Sequence, residues 1–317
     1  MSFKDSKVVI IGAGNVGSTT AYSILNQGIA EQVVLIDKNS DIAYAQALDM
    51  AHSIYFMNRN MSIKAGDYTD CRDADVVVIT ASAPMPKDSH NRLEMLEPSM
   101  NIIKDIVGNV MGNGFDGVFV VISNPVDIMS YYVWKLSRLP VNRVIGSGTA
   151  LDTARLCYRL SKMYNLDAKS VEAFVMAEHG DSEMVLWSSA TIGGKPLDDV
   201  FKDNADRTKD ITKDELLKMT KQAGWDIFNK KGNTCYGIAS STTAIIKSIL
   251  FNENRILPVS VGLSGQYGLN NLFLSVPTII NKNGAKEIVE IKLNPEEETL
   301  LQKSAETLTG FYKELNI

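Results

Sequence analysis

Val8-Val9-Ile10-Ile11-Gly12-Ala13-Gly14-Asn15-Val16-Gly17, followed by Val33-Val34-Leu35-Ile36-Asp37, is the stretch that decides the fold of this chain. The apolar run before Gly12 has the make-up of a buried parallel strand, and Asn15 to Gln27 reads as the helix after it. The glycines therefore fall in a strand-to-helix turn. Gly12 allows the tight turn, Gly14 lets a pyrophosphate approach the backbone at the helix N-terminus, and Gly17 lets that helix pack closely against its strand. Asp37 ends the second strand, twenty residues after Gly17. A carboxylate there accepts hydrogen bonds from an adenosine ribose and repels a 2′-phosphate, which favours NAD over NADP, although Lys38 next door softens the repulsion. Three glycines at this spacing also occur in ordinary turns; strand, helix and acidic residue together single out a dinucleotide site. Gly12, Gly14, Asn15, Val16, Gly17, Asp37 and Asn124 are its candidate contacts.

A chain of 317 residues, 45% of them hydrophobic, buries a large core, most simply as two domains. The expected division is a dinucleotide-binding domain over 1–146 and a catalytic domain over 147–317. A net charge of -5 and a pI near 5.4 lack the basic stripe that nucleic acid or anionic lipid demands. No apolar run approaches the roughly 20 residues of a membrane span, and Met1 to Lys7 is too polar for a signal peptide, so a cytoplasmic protein is expected. Cys71, Cys157 and Cys235 are scattered and show no CxxC spacing, which suggests neither a disulfide framework nor a zinc site.

Strand and helix periods alternate through the first half. Ser62–Ala65, Asp75–Thr80, Gly117–Ile122 and Val144–Gly146 read as the third to sixth strands of a doubly wound parallel sheet, with Val144–Gly146 its last. Catalytic residues should then cluster beyond the strand C-termini. After Gly146 the pattern turns to mixed α+β. A long helix begins near Leu151, an apolar strand spans Val171 to Met176, and a hairpin over Val185 to Leu197 turns on Gly193-Gly194. A helical tract from Lys213 to Asn252, strands around Phe273–Ile280 and Glu287–Lys292, and an amphipathic helix from Pro295 complete the pattern.

Of three histidines, His179 stands out, in Glu178-His179-Gly180-Asp181-Ser182 directly after an apolar strand. Imidazole titrates near working pH and suits an alcohol oxidation, which leaves a proton to remove. A hydrogen-bonded turn histidine would look the same. His52 reads as a helix-surface or subunit-contact residue, and His90 lies in a polar loop. Asp152 and Arg155 are three apart on one helix face, where an acid could orient an imidazolium and a guanidinium could grip a carboxylate, or the two could simply form a local ion pair. Asn124, before Pro125 at the end of the fifth strand, either presents its amide to a cleft or is a turn asparagine.

Together, Gly12-x-Gly14-x-x-Gly17, Asp37, Ser123-Asn124-Pro125-Val126-Asp127, Leu151-Asp152-Thr153-Ala154-Arg155 and Glu178-His179-Gly180-Asp181-Ser182 resemble the L-lactate dehydrogenase family of the lactate/malate dehydrogenase superfamily. The resemblance runs in the family's order over nearly the whole chain, and includes Trp134-Lys135-Leu136-Ser137 and Val144 to Thr149. It implies a Rossmann sheet followed by a mixed α+β substrate domain, and an NAD-dependent L-2-hydroxy acid dehydrogenase acting on a 2-oxo acid and its L-2-hydroxy acid. It further implies that His179 exchanges the proton, Asp152 holds the imidazole and Arg155 binds the substrate carboxylate. Arg92 would be the lid arginine that polarises the ketone, Asn124 would hydrogen-bond the same oxygen, and Thr234 would line the side-chain pocket. A homotetramer is implied as well. Malate dehydrogenase is the alternative activity, and a non-catalytic NAD-binding protein the remoter one.

Three departures from the family pattern bear on substrate and regulation. The lid, Ala83 to Arg92, is one residue longer than in lactate enzymes, and Met85 stands at the specificity position, where malate enzymes carry an arginine. Gly224 replaces a frequent alanine, as in the L-2-hydroxyisocaproate branch. An ordinary lactate enzyme with a drifted lid and an enzyme for larger alkyl 2-oxo acids both fit these features. Cys157 and Glu172 occupy the positions where many bacterial relatives bind fructose 1,6-bisphosphate; a thiol and a carboxylate cannot hold its phosphates, so no activation is expected.

Overall fold

The first strand, β1 (Lys7–Ile11), is buried along its whole length because neighbouring strands and covering helices leave it no solvent face. Residues 5–83, 96–208 and 211–315 are described by this computed structural model. Helix α1 (Asn15–Gln27) leads to β2 (Gln32–Ile36), and α2 (Ser40–Ser53) to β3 (Ser62–Ala65) and β4 (Val76–Ile79). Then come α3 (Leu96–Gly112), β5 (Val118–Val121), α4 (Val126–Ser137) and β6 (Val144–Gly146). These six strands pair in parallel in the order β3-β2-β1-β4-β5-β6, with Val9 opposite Val34 on one side and Val77 on the other. Strand order reverses between β1 and β4, the switch point at which doubly wound sheets open a crevice.

The second half contains α5 (Ala150–Tyr164), β7 (Val171–Glu172), β8 (Val175–Met176), β9 (Met184–Val185), β10 (Thr191–Ile192) and β11 (Lys195–Pro196). Helices α6 (Leu197–Asp203), α7 (Ala205–Thr208), α8 (Lys213–Lys231) and α9 (Tyr236–Leu250) follow. Strands β12 (Arg255–Ser264), β13 (Asn270–Asn281) and β14 (Gly284–Ile288) precede α10 (Pro295–Glu314). The long helices carry clear stop and start signals. A reciprocal box of Thr212 with Glu215 opens α8, Gly232 closes it at φ 81°, and Asn294 with Glu297 opens α10 behind Pro295.

Several expectations are corrected. β6 is not the last strand: β12 pairs with it antiparallel through Ser260 and Gly146, and β13 and β14 extend the sheet to nine strands. β12 escapes notice in the sequence because its apolar residues are interrupted by Pro258, Ser260 and Gly262. The apolar run from Val171 to Met176 divides between two small sheets, since β7 pairs with β10 while β8 pairs with β9. The hairpin turn on Gly193-Gly194 is present, but its strands are only β10 and β11. The tract from Lys213 to Asn252 breaks into α8 and α9 at Gly232, and the final strand ends at Ile288.

Candidate active site

The glycine turn lies at the carboxyl end of β1. Gly12 has φ 108°, a conformation L side chains rarely adopt, and a Cβ at Gly17 would collide with the Gly12 carbonyl oxygen. Gly14, the residue before α1, offers no side-chain cap, so the first amides of the helix, at Asn15, Val16 and Gly17, keep their hydrogens for an outside acceptor. A Cβ at Gly14 would meet nothing within 4 Å among the described residues, which leave the approach to those amides open. Free helix donors, open space and a partial positive charge suit the pyrophosphate of a dinucleotide. Asp37 ends β2 and braces the turn. Its carboxylate accepts hydrogen bonds from the Ala13 amide at 2.8 Å and the Asn39 amide at 2.9 Å.

A cleft of about 480 Å³ runs from Val16, Thr80 and Ser82 past Asn124 to Asp152, Arg155, His179, Gly224 and Thr234. Thus Asn124 from the end of β5, Asp152 and Arg155 from α5, His179 from the β8–β9 turn and Thr234 from the α8–α9 turn are brought together. Arg92 and Met85 lie outside the described residues.

His179 is held in this cleft by its backbone as well as its ring. Ala177, with φ 78°, exchanges two backbone hydrogen bonds with Ser275 of β13 and turns the chain away from the sheet. A left-handed alanine costs about 1–2 kcal/mol, so the surrounding bonds must hold it there. The His179 amide donates to Asp127 Oδ2 at 2.8 Å, and Ser275 Oγ donates to Asp127 Oδ1 at 3.3 Å. The imidazole Nδ1 lies 2.6 Å from Asp152 Oδ2, and Arg155 Nη1 donates to Asp152 Oδ1 at 2.7 Å. With Nδ1 engaged by the carboxylate, Nε2 is the ring atom left to face a substrate. Arg155 uses one of its five N–H groups on Asp152, which leaves others for a second carboxylate.

The electrostatics of the cluster follow from burial and pairing. Burial works to lower the basicity of His179, but Asp152, both as a charge and as a hydrogen-bond acceptor, overrides it and lifts the imidazole up to about 9. Burial also works to raise Asp152, yet His179 and then Arg155 hold it below the ordinary carboxylate range. His179 is consequently charged at neutral pH in the free protein. Burial raises Asp127 to about 6 against the opposing hydrogen bond from the His179 amide. Gly224 is informative in a way its sequence position does not suggest. A Cβ there would lie 3.2 Å from Arg155 Nη2, so the room it leaves borders the guanidinium.

Two functional residues were missed from sequence. Asp127 stood in the Ser-Asn-Pro-Val-Asp motif without a role; its signal was a lone acid in the apolar run Val126-Asp127-Ile128-Met129. Glu183 gave only a weak one, an acid ahead of Met184-Val185-Leu186, yet it is 4% exposed and close to His179 and Asp152.

Comparison with known proteins agrees with this geometry. Residues 6–146 match the family model described as lactate/malate dehydrogenase, NAD binding domain, and residues 149–315 match its alpha/beta C-terminal domain. L-lactate dehydrogenase 3 of Bacillus cereus is 47% identical over 307 residues, covering 97% of both chains. A solved lactate dehydrogenase from a Medee basin deep-sea metagenome library superposes with a TM-score of 0.95 at 42% identity, over 99% of this chain and 100% of that one. The minor L-lactate dehydrogenase of Enterococcus mundtii, in its ligands-bound form, gives a TM-score of 0.92 at 39% identity, over 96% and 97%. The chain belongs to the lactate/malate dehydrogenase family. Within that family it is an NAD-dependent dehydrogenase with a Rossmann sheet and an appended α/β region.

Proposed function

We propose that the protein is an L-lactate dehydrogenase in the broad sense, interconverting pyruvate or a larger alkyl 2-oxo acid with the L-2-hydroxy acid. The observation that carries this reading is the Arg155–Asp152–His179 chain of contacts, at 2.7 and 2.6 Å, lining the same cleft as the open end of α1. NAD, when bound, supplies or accepts the hydride. The amides of Asn15, Val16 and Gly17 would hold its pyrophosphate, and Asp37, which fixes the turn, would accept from its ribose. Arg155 grips the substrate carboxylate, and Asn124 donates to the reacting oxygen. His179 Nε2 gives that oxygen a proton in reduction and takes it back in oxidation. Asp152 keeps the imidazole in the required orientation and stabilises its charged form. Arg92 and Met85, outside the described residues, complete the assignment by the family resemblance, as the residue that polarises the ketone and the residue that sets specificity.

Malate dehydrogenase remains the second activity, and the relatives' names weigh against it. An unpaired second carboxylate beside Met85 costs several kcal/mol, while each methylene that fits an apolar pocket returns up to about 0.8 kcal/mol. Gly224 adds room next to Arg155, so it bears on how the carboxylate end of a bulkier substrate seats. Turnover of a panel of 2-oxo acids with NADH tests the reading. Pyruvate and branched 2-oxo acids should be reduced and oxaloacetate should lag. Oxaloacetate turned over as efficiently as pyruvate would refute it.

The assembly we infer is a homotetramer in the cytoplasm, without fructose 1,6-bisphosphate activation. Tyr44, Leu48, Tyr55 and Phe56, on and just after α2, expose large apolar area, which supports a covered face there. Cys157 is buried with its thiol toward the Val171 carbonyl, and the Glu172 carboxylate accepts from Thr191 Oγ1 at 3.1 Å. Neither offers a phosphate a cation. A fall in the pyruvate KM on adding the bisphosphate would contradict this, and sedimentation would read the assembly.

A further inference from the structure

Glu183 is the one carboxyl of the cluster whose chemistry the proposed reaction does not use. It follows His179 by four residues in the β8–β9 turn and is 4% exposed, and its Oε1 has no hydrogen-bond partner among the described residues. Burying a carboxyl so incompletely bonded costs several kcal/mol unless it is neutral or has a task. One of its oxygens, an Asp152 oxygen and a His179 ring nitrogen all lie within 4.8 Å of one another. Glu183 also stands in a wall between two spaces. On one side is the substrate cleft; on the other, a groove of about 1070 Å³ between α8 and α10.

We propose that Glu183 is a positioning residue that balances the charge of the His179–Asp152 pair at alkaline pH, taking a proton from water in the α8–α10 groove when His179 gives its own to substrate. The inference rests on the proposed dehydrogenase reading. At alkaline pH, where Glu183 starts as the carboxylate while His179 still carries its proton, reduction breaks the His179 Nε2–H bond and forms an O–H bond on the substrate, leaving a neutral imidazole beside two carboxylates. Glu183 then binds one proton from groove water, so the cluster of Asp152, His179 and Glu183 keeps a net charge of minus one. After product leaves, His179 regains a proton from solvent in the cleft and Glu183 releases its own to the groove, so one proton is consumed per turnover.

The groups facing Glu183 support this exchange. Burial first and Asp152 second push its carboxyl up to about 8, while His179, Lys221 of α8 and Arg155 of α5 pull it down. Glu183 in turn raises His179, so the two protonations compete for one site charge. Across the groove Asp181, Glu297 and Lys303 offer polar walls to water. The Lys221 ammonium donates to the Asp181 carbonyl at 2.7 Å, holding the groove side of the turn in place.

The chain has only three histidines, so the His179 imidazole can be followed by NMR across pH in the free protein. In the wild type its titration should show two inflections, because Glu183 and His179 share their protons. In Glu183→Gln it should become a single step displaced about one pH unit downward. For pyruvate reduction, kcat/KM of Glu183→Gln should match the wild type within about twofold at pH 6 and fall about fivefold below it at pH 9. Glu183→Asp, which keeps a titrating carboxyl, should restore the second inflection. A single-step wild-type titration, or an unshifted His179 in Glu183→Gln, overturns the proposal, as does an equal loss of kcat/KM at both pH values. A wild type that reduces no 2-oxo acid would sink the functional reading instead, while the titration of the free protein still decides the role of Glu183.

Discussion

The glycine turn and the catalytic cluster sit at the same end of one sheet and are built on opposite principles. The turn works by removing side chains: Gly12 supplies a positive φ, Gly14 leaves open space and Gly17 lets α1 lie against the turn. Its chemistry belongs to the backbone, and its parts lie within six residues. The cluster works by crowding charged side chains together. Asp152 and Arg155 come from α5, His179 and Glu183 from the β8–β9 turn, Asp127 from α4, and Ser275 from β13 steadies them. Backbone recognition is set locally, whereas a tuned proton donor needs partners that arrive from distant parts of the chain.

The two should therefore fail separately, and the largest effect is expected where the charge resides. His179→Asn should lower kcat about 10²–10⁴-fold, since it removes the proton carrier, while NADH binding followed by fluorescence stays within about twofold. Wild-type turnover in that variant would make His179 a structural residue and dissolve the contrast. The same cluster predicts direction with pH. His179 is charged below about 9, so reduction should lose efficiency as pH rises through that value while oxidation gains.

One methyl group tests the other region. Gly17→Ala forces a Cβ into the Gly12 carbonyl and should cost about 1–3 kcal/mol of stability by denaturant unfolding, with NADH binding lost alongside. Gly14→Ala meets no atom of the described residues within 4 Å, so it should unfold like the wild type and bind NADH more weakly, because the cofactor would touch the new methyl. Equal destabilisation by the two would mean that the turn is held by packing rather than by backbone conformation.

The smallest effect concerns Asp127, which joins the catalytic turn to the sheet. Its carboxyl is raised from 3.8 to about 6 by burial, so the folded state binds its proton more tightly than the unfolded state does. Stability from this group is therefore full below about pH 4 and declines as pH rises toward 6. Asp127→Asn should melt with the wild type at pH 4 and a few degrees higher at pH 7, provided the amide oxygen still accepts from His179. A variant that melts lower at both values would show that the carboxylate's bonds outweigh its burial.

Much of this was legible before any coordinates. The runs at Val8–Ile11, Val76–Ile79 and Val144–Gly146 gave strands because buried β segments are apolar and short, and Gly193-Gly194 marked its turn by the positive φ that both glycines adopt. Asp152, Arg155 and His179 could be named as candidates because their side-chain types suit proton transfer and carboxylate binding, and it was the family resemblance that gave them roles. β12 was missed although Leu257, Val259, Val261 and Leu263 alternate with Pro258, Ser260 and Gly262, because proline and glycine inside a run argue against a central strand and only the pairing with β6 and β13 shows it to be one.

What the sequence by itself determined is the local part: the dinucleotide turn, the parallel strand run beyond it and the candidates for proton transfer. Each depends on residue type and short spacing. Only the tertiary structure decided that Asp127 anchors the His179 backbone, that Gly224 opens beside Arg155, and that Glu183 is buried without a full set of partners. Burial and pairing, which set the charge of each group, arise between segments far apart in the chain, and residue order alone carries no measure of them.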